Sequence, residues 1–397
     1  MSAATFVRVL VLSGGERLPT LFDGATRQPI FDPLVYVTTR LRGRAANTVH
    51  QHVVAISGLL AFCSERCIQL ADRVRSGRLL ALHELDGLVG AIGTSKSTGK
   101  SKSQQRGLSR VTWANRLRAI RTYLSWLTTR RLQQLAHEGA DYGRYQVDRE
   151  QFLAEFYARL PSVKVKASSK SGLKPREREQ LLAAVDPSHS ANPWTRNRVR
   201  ARNGLMLKLF YELGVRRGEL LALCLEDFNA RESRLSIVRR PDNPKDPRRR
   251  QPVVKTEERV LQLSPEAAAE FLRYVLRERA PLVRGRHGFV FVETRGGAPL
   301  SASGLDKVFS QLRTVKGLPQ DLTSHTLRHD WNDRFSDTAD EKRIPSGDEA
   351  RLRKYLQGWR WDGSAQRYNR RHIVKRANEA LLDMQAQVIG RVSPDEN

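Results

Sequence analysis

Cysteine is nearly missing: Cys63, Cys67 and Cys224 are the only three in 397 residues. So few thiols, odd in number, exclude a disulfide framework and fit a reducing compartment. Cys63 and Cys67 stand four apart, but two thiolates do not complete a zinc site, and buried packing is the favoured reading. Aromatic residues make up 7% of the chain and the mean hydropathy is -0.51. No apolar run approaches the ~20 residues of a membrane span. The residues after Met1 show no charged start followed by an apolar block, so a cytoplasmic, nucleoid-associated protein is expected rather than a secreted one. Acidic residues are also short: Asp plus Glu total 42 against 69 Lys plus Arg, a formal charge of +27.

That imbalance points to a polyanionic partner, because each neutralised phosphate releases counterions. A solvated basic surface is the plain alternative. Clustering argues against it: Arg196, Arg198, Arg200 and Arg202 fall in "TRNRVRAR", and Lys245, Arg248, Arg249 and Arg250 fall in "NPKDPRRRQ". Nucleic acid is the expected partner. A membrane surface is not, since neither a lipid anchor nor a strongly apolar helix face is evident.

At 397 residues the chain exceeds one ordinary domain. Residues 1–40 read as a strand-rich extension of unknown role, beginning with "TFVRVLVL". Residues 41–160 read as a small helical domain. Val49, Val53, Ile56, Leu60 and Cys63 recur at helical spacing, with Asn47 or Thr48 as the expected cap. Leu117, Ile120, Leu124 and Leu127 form a second stripe, and Arg116, Arg118 and Arg121 lie off it as candidate DNA contacts. Between these helices, "GTSKSTGKS" resembles a phosphate-binding loop but has five residues between its glycines where that loop has four. It reads as a polar loop.

Residues 161–175 form a basic linker containing Lys164 and Lys166, which suits a two-domain clamp around a duplex. Residues 176–397 begin with the helix "REREQLLAAV" and a second helix ending at Gly214. "VRRGELLALCLEDF" then resumes as helix. Three short strands are expected at "RLSIVRR", "PVVKT" and "RVLQL", the last two joined by a tight turn at Thr256 and Glu257. The fold class is mainly α with a small antiparallel β-sheet.

Four stretches carry chemistry. Arg216 follows a helix stop, with Glu219 three residues on; this is either a bidentate phosphate fork with its orienting carboxylate or a surface ion pair. Lys255 sits by the expected turn, as a groove-inserted lysine or a solvated one. "HTLRH" places His325, Arg328 and His329 on neighbouring helix positions. The zinc-protease motif shares the histidine spacing but needs Glu after the first His, where Thr326 stands, and Arg328 would oppose a metal. An anion grip fits better. Tyr368 lies among Arg367, Arg370 and Arg371, nine residues after Trp359. A phenol of pKa ~10 is a poor nucleophile unless positive charge favours its anion. Otherwise it is an amphipathic cover for a core edge.

Together, "LFYELGVRRGELLAL", "VVKTEERVLQL", "HTLRH" and "LQGWRWDGSAQRY" resemble the catalytic half of the tyrosine recombinase (phage integrase) family, and residues 41–160 look like its helical core-binding domain. The resemblance implies Tyr368 as nucleophile and Arg216 and Arg328 as phosphate forks. It further implies Lys255 as proton donor, with Lys245 in reserve because residues 241–252 form a longer loop than the family's. His325 would assist proton transfer or hold the phosphate, Trp359 would position the phosphate, and Glu219 would lock Arg216. Arg196, Arg198 and Arg200 are further candidate DNA contacts. Residues 337–350 look like an insertion. No metal, cofactor or ATP is implied. The implied partners are double-stranded DNA at specific sites, further copies of the chain in a tetramer on DNA, and accessory DNA-bending proteins. Ile373, Ala377, Leu381 and Met384 give the tail an apolar stripe that suits either folding back on its own core or, as the resemblance implies and as is favoured, docking on a neighbouring copy. A type IB topoisomerase shares this chemistry without site preference, and a non-catalytic DNA-binding regulator could use the same scaffold.

Overall fold

The computed structural model describes residues 5–94, 107–138, 141–163 and 172–360, together with Leu381. Lys164, Lys166, Tyr368 and the tail stripe other than Leu381 lie outside the described residues, as does most of the Ser/Lys/Gly tract. The chain divides into two compact units, Met1–Ser168 and Ser169–Asn397.

The first unit opens with an antiparallel hairpin, β1 (Thr5–Val11) and β2 (Arg17–Asp23), in which Thr5 faces Asp23 and Val11 faces Arg17. Then come α1 (Phe31–Tyr36), α2 (Ala46–Glu65), α3 (Leu70–Ser76), α4 (Leu82–Gly93), α5 (Arg110–Glu138) and α6 (Tyr142–Ala158). Val49, Val53, Ile56 and Cys63 of α2 are buried, with Leu60 packed partly against them. They share one core with Leu117, Ile120, Leu124 and Leu127 of α5. Leu18, Leu21, Tyr36 and Val37 belong to the same core, so residues 5–40 are built into this unit instead of trailing from it. The cap expected at Asn47 or Thr48 is not used. Helix α2 begins earlier, and the Ala45 carbonyl accepts the Thr48 and Val49 amides at 2.7 and 3.2 Å.

The second unit begins with α7 (Pro175–Val185) and α8 (Asn197–Leu213), whose Leu205, Met206, Leu209, Phe210 and Leu213 are buried. Helix α8 stops at Gly214, which takes the left-handed conformation (φ 60°). Helix α9 (Arg217–Ala222) is shorter than the sequence suggests: the backbone turns extended at Leu223, and a 3-10 turn follows. The sheet is β3 (Phe228–Asn229), β4 (Arg234–Ile237) and β5 (Arg259–Gln262), antiparallel in that order.

"PVVKT" is not a strand. Strand β4 pairs directly with β5, and residues 251–255 run as irregular backbone. The Thr256 hydroxyl bonds a buried carboxylate instead of closing a hairpin turn. Helices α10 (Pro265–Arg273), α11 (Ala280–Val283), α12 (Ala302–Leu312), α13 (Ser324–Glu341) and α14 (Ser346–Gln357) complete the described unit. The stretch read as an insertion, 337–350, is the end of α13, a turn and the start of α14. The core gathers Leu205, Phe210, Leu220, Leu235, Leu261, Phe271, Leu305 and Leu327 from most of these elements. A fully buried Leu or Phe contributes ~1.5–3 kcal/mol, so this core, not helix propensity, fixes the site-bearing ends.

Candidate active site

Two helix ends and one helix start meet on the second unit. Helix α13 is started by Thr323, whose hydroxyl accepts the Thr326 amide at 3.3 Å while its own amide donates to the Thr326 hydroxyl at 3.1 Å. Such a cap is worth ~1 kcal/mol, and it fixes the first turns that carry His325 and Arg328. Burial of Leu327 and Trp331 then turns Arg328 inward, leaving 4% of it exposed. Its Nη1 donates to the Gly214 carbonyl at 2.6 Å and its Nη2 to the Gln357 carbonyl at 3.1 Å.

Arg216 caps α9 from the opposite side. Its amide donates to Glu219 Oε2 at 2.9 Å, and its Nη1 lies 3.5 Å from Glu219 Oε1. The same Nη1 donates to the Gln357 carbonyl at 3.3 Å. Two guanidinium groups from distant parts of the chain therefore share one main-chain oxygen. Trp359 is buried two residues further on, its ring centroid 5.9 Å from the Arg328 Cζ.

The left-handed turn at Gly358 (φ 60°) makes this approach possible. A Cβ there would lie 2.7 Å from Arg259 Nη1 and 2.9 Å from the Glu257 carbonyl, so only glycine fits.

Glu219 is 1% exposed and is held by more than Arg216. Arg259 Nη2 donates to its Oε2 at 2.9 Å and the Thr256 hydroxyl to its Oε1 at 2.6 Å. Burial pushes the Glu219 carboxyl upward, but the charge and hydrogen bond of Arg259, the charge of Arg328 and the Thr256 hydroxyl outweigh it. The net effect holds the group below the usual carboxylate range. Arg259 also donates Nε to the Leu356 carbonyl at 2.8 Å. One buried guanidinium thus joins the carboxylate of α9, the loop that carries Lys255 and the end of α14. The sequence reading missed Arg259. Its signal was alternation: it is in phase with Leu261 and Leu263, both buried, so it points inward.

Lys255 is exposed in the irregular stretch, one residue from Thr256; no contact between its ammonium and either fork is among the described interactions. The reserve candidate Lys245 is exposed in the longer loop, which Arg248 pins through Asp246 at 2.8 Å and the Leu221 and Leu300 carbonyls at 3.0 and 2.8 Å. His325 is exposed and His329 half-buried; both line an open pocket with Arg217, Arg313, Thr323 and Ser324. Asp306 lines it too and pairs with Arg217 at 3.1 Å, so the pocket carries both signs of charge.

The candidate DNA contacts divide. Arg196 is exposed, and Arg198 lies 3.4 Å from Glu278. Arg200 turns to the carbonyls of Trp194 and Pro187. In the first unit Arg118 is exposed, Arg116 is half-buried, and Arg121 donates to the Leu153 carbonyl at 3.1 Å.

Residues 172–344 match the phage integrase family model. Tyrosine recombinase XerC of Chromohalobacter salexigens is 29% identical over 43% of this chain and 49% of its own length. Tyrosine recombinase XerD of Lacticaseibacillus casei is 24% identical over 60% of this chain and 83% of its own. The chain thus spans about half the length of the first of these relatives. A crystal structure of the XerH site-specific recombinase bound to its difH substrate superposes with a TM-score of 0.51 at 17% identity, covering 82% of this chain and 77% of that one. Both fork arginines, Arg216 and Arg328, lie within the matched residues. The similarity to the tyrosine recombinase (phage integrase) family is carried by residues 172–344.

Proposed function

We propose that this chain is a site-specific DNA recombinase that breaks and rejoins strands through a 3′-phosphotyrosine intermediate at Tyr368. The observation that carries the reading is the convergence of Arg216 and Arg328 on one oxygen, the Gln357 carbonyl. A carbonyl oxygen is a modest stand-in for a phosphate oxygen. A phosphodiester under attack gathers charge on its non-bridging oxygens, and two preorganised forks are the groups to stabilise that charge. Glu219, held ionised by Arg259, fixes the Arg216 fork.

In the proposed step the Tyr368 oxygen bonds to phosphorus as the P–O5′ bond breaks. The phenolic proton leaves, with His325 assisting, and the departing 5′ oxygen takes a proton from Lys255. Reversal reseals the strand, since the bond energy stays in the covalent link. Trp359 has only an indole N–H to donate, so it positions the phosphate and transfers no proton. The first unit and the 161–175 linker would hold the duplex. A tetramer on DNA, exchanging the tail after Tyr368 between copies, is the proposed assembly, within the nucleoid and with accessory DNA-bending proteins. Residue roles follow the family resemblance; the fork geometry supports those of Arg216, Arg328 and Glu219.

The test uses a duplex selected from a randomised pool by repeated binding to the full chain, then nicked near the cut so that cleavage traps the protein. Wild type should form a covalent adduct, and Tyr368→Phe should bind equally and form none. An adduct that persists in that variant removes the nucleophile assignment. Relaxation of supercoiled DNA lacking the selected site would favour the topoisomerase reading instead.

A further inference from the structure

Helix α14 buries a polar stripe, although its Leu356 packs partly against the core. Its apolar Leu352 and Tyr355 are 45% and 55% exposed, while Glu349, Arg353 and Gln357, one turn apart, are buried. Glu349 and Arg353 pair with each other, and Arg353 also reaches the Ser336 hydroxyl at 2.5 Å. Gln357 differs: it is 0% exposed, yet neither its Nε2 nor its Oε1 has a hydrogen-bond partner among the described residues. Its carboxamide lies against Gly214 and Trp331, where a leucine or methionine would pack without leaving a polar group unpaired. The main-chain oxygen of the same residue is the shared acceptor of both forks.

We propose that Gln357 is a positioning residue in a two-state latch: its carbonyl holds Arg216 and Arg328 until the scissile phosphate displaces it, and its unpaired carboxamide biases the 357–359 segment toward that displacement. The inference rests on the recombinase reading. A phosphate wins the competition because hydrogen bonds to an ionised acceptor are about twice as strong as those to a neutral one. The freed carbonyl turns at the 357–358 peptide, which Gly358, without a Cβ, allows. That movement opens the carboxamide to a partner and carries Trp359 with it. Phosphate binding and the resetting of the 357–359 segment become one event.

Gln357→Leu and Gln357→Met remove the unpaired amide and keep the packing. Both should raise the melting temperature of the DNA-free chain by roughly 3 °C. Affinity for the selected duplex should stay within about twofold, and the rate of adduct formation at saturating duplex should fall about tenfold, the equivalent of one unpaired buried amide. A role confined to packing would move stability and rate together in the same direction. If the wild type forms a Tyr368-dependent adduct and both variants match its rate, the latch is wrong while the recombinase reading stands. Variants that are slower and also less stable overturn it too. A wild-type chain that forms no such adduct overturns the recombinase reading, and the latch with it.

Discussion

Two sets of arginines in this molecule look alike in sequence and have opposite fates. On α5, Arg118 is exposed and its Nη1 donates to Asn115 Oδ1, 3.1 Å away on the same helix. At the candidate site, Arg328 and Arg259 are 4% and 5% exposed, and their described partners are carbonyls, a hydroxyl and a buried carboxylate. A guanidinium on the surface adds charge that salt screens. One that is buried and paired becomes a fixed donor array whose field is screened little, and whose loss strands its partners. The contrast predicts that substitutions at the two places differ in kind: those at the site act on chemistry or folding, and those on α5 act on salt-dependent affinity.

The largest effect should come from the fork itself. Arg328→Ala should lower the adduct-forming rate at saturating duplex by ~10²–10³, the loss seen when one preorganised donor to a developing oxyanion is removed. Arg328→Lys should recover little of it, since an ammonium cannot bond the Gly214 and Gln357 carbonyls with a planar pair of N–H groups. Single-turnover kinetics on the nicked duplex check both, and a near wild-type rate for Arg328→Ala would place the chemistry elsewhere.

Next is Arg259→Met. It leaves Glu219 buried and ionised beside fewer partners, and breaking a buried pair in this way typically costs ~3–5 kcal/mol. Urea denaturation should show a large fall in midpoint. Combining it with Glu219→Gln, which removes the stranded charge, should recover part of the loss. A double variant no more stable than Arg259→Met alone would show that the pair is not coupled.

Acid should act through the same carboxylate. The folded-state pKa of Glu219 is lowered from 4.5, so its contribution is fully present above about pH 4.5 and is lost as pH falls through the lower folded value. Wild type should therefore lose more stability on acidification below pH 4.5 than Glu219→Gln does. Denaturant midpoints measured from pH 6 downward would show parallel curves if the carboxylate were not paired.

Periodicity in the sequence is enough to place most helices. The stripes on α2 and α5 repeat every three or four residues, and the core they enter is the one the spacing implies. The fork residues were legible because Arg216 follows a helix-stopping glycine and Arg328 lies in the short "HTLRH" run. What failed did so for tertiary reasons. "PVVKT" has strand composition, yet β4 closes directly on β5, leaving its residues as irregular backbone outside the ladder. Helix α14 buries Glu349, Arg353 and Gln357 and leaves Leu352 and Tyr355 exposed, so no hydrophobic pattern singles out Gln357. The run "TRNRVRAR" reads as a basic cluster, but Arg202 is buried and donates to the Val292 carbonyl while Arg196 is exposed; clustering reports composition and not direction.

The smallest expected effect tests the surface half of the contrast. Arg118→Ala removes a solvated charge, so stability should stay within ~0.5 kcal/mol of wild type. If Arg118 meets a backbone phosphate, the variant should bind the selected duplex and an unrelated one more weakly by the same factor. The slope of log affinity against log salt should fall by about one unit, as for the loss of one phosphate contact. The adduct-forming rate at saturating duplex should not change, because the forks are untouched. An unaltered salt slope would make Arg118 a solubilising charge. A changed rate at saturation would be more damaging, since it would mean that this surface charge and the buried forks are not separable and that the division drawn between the two sets of arginines is wrong.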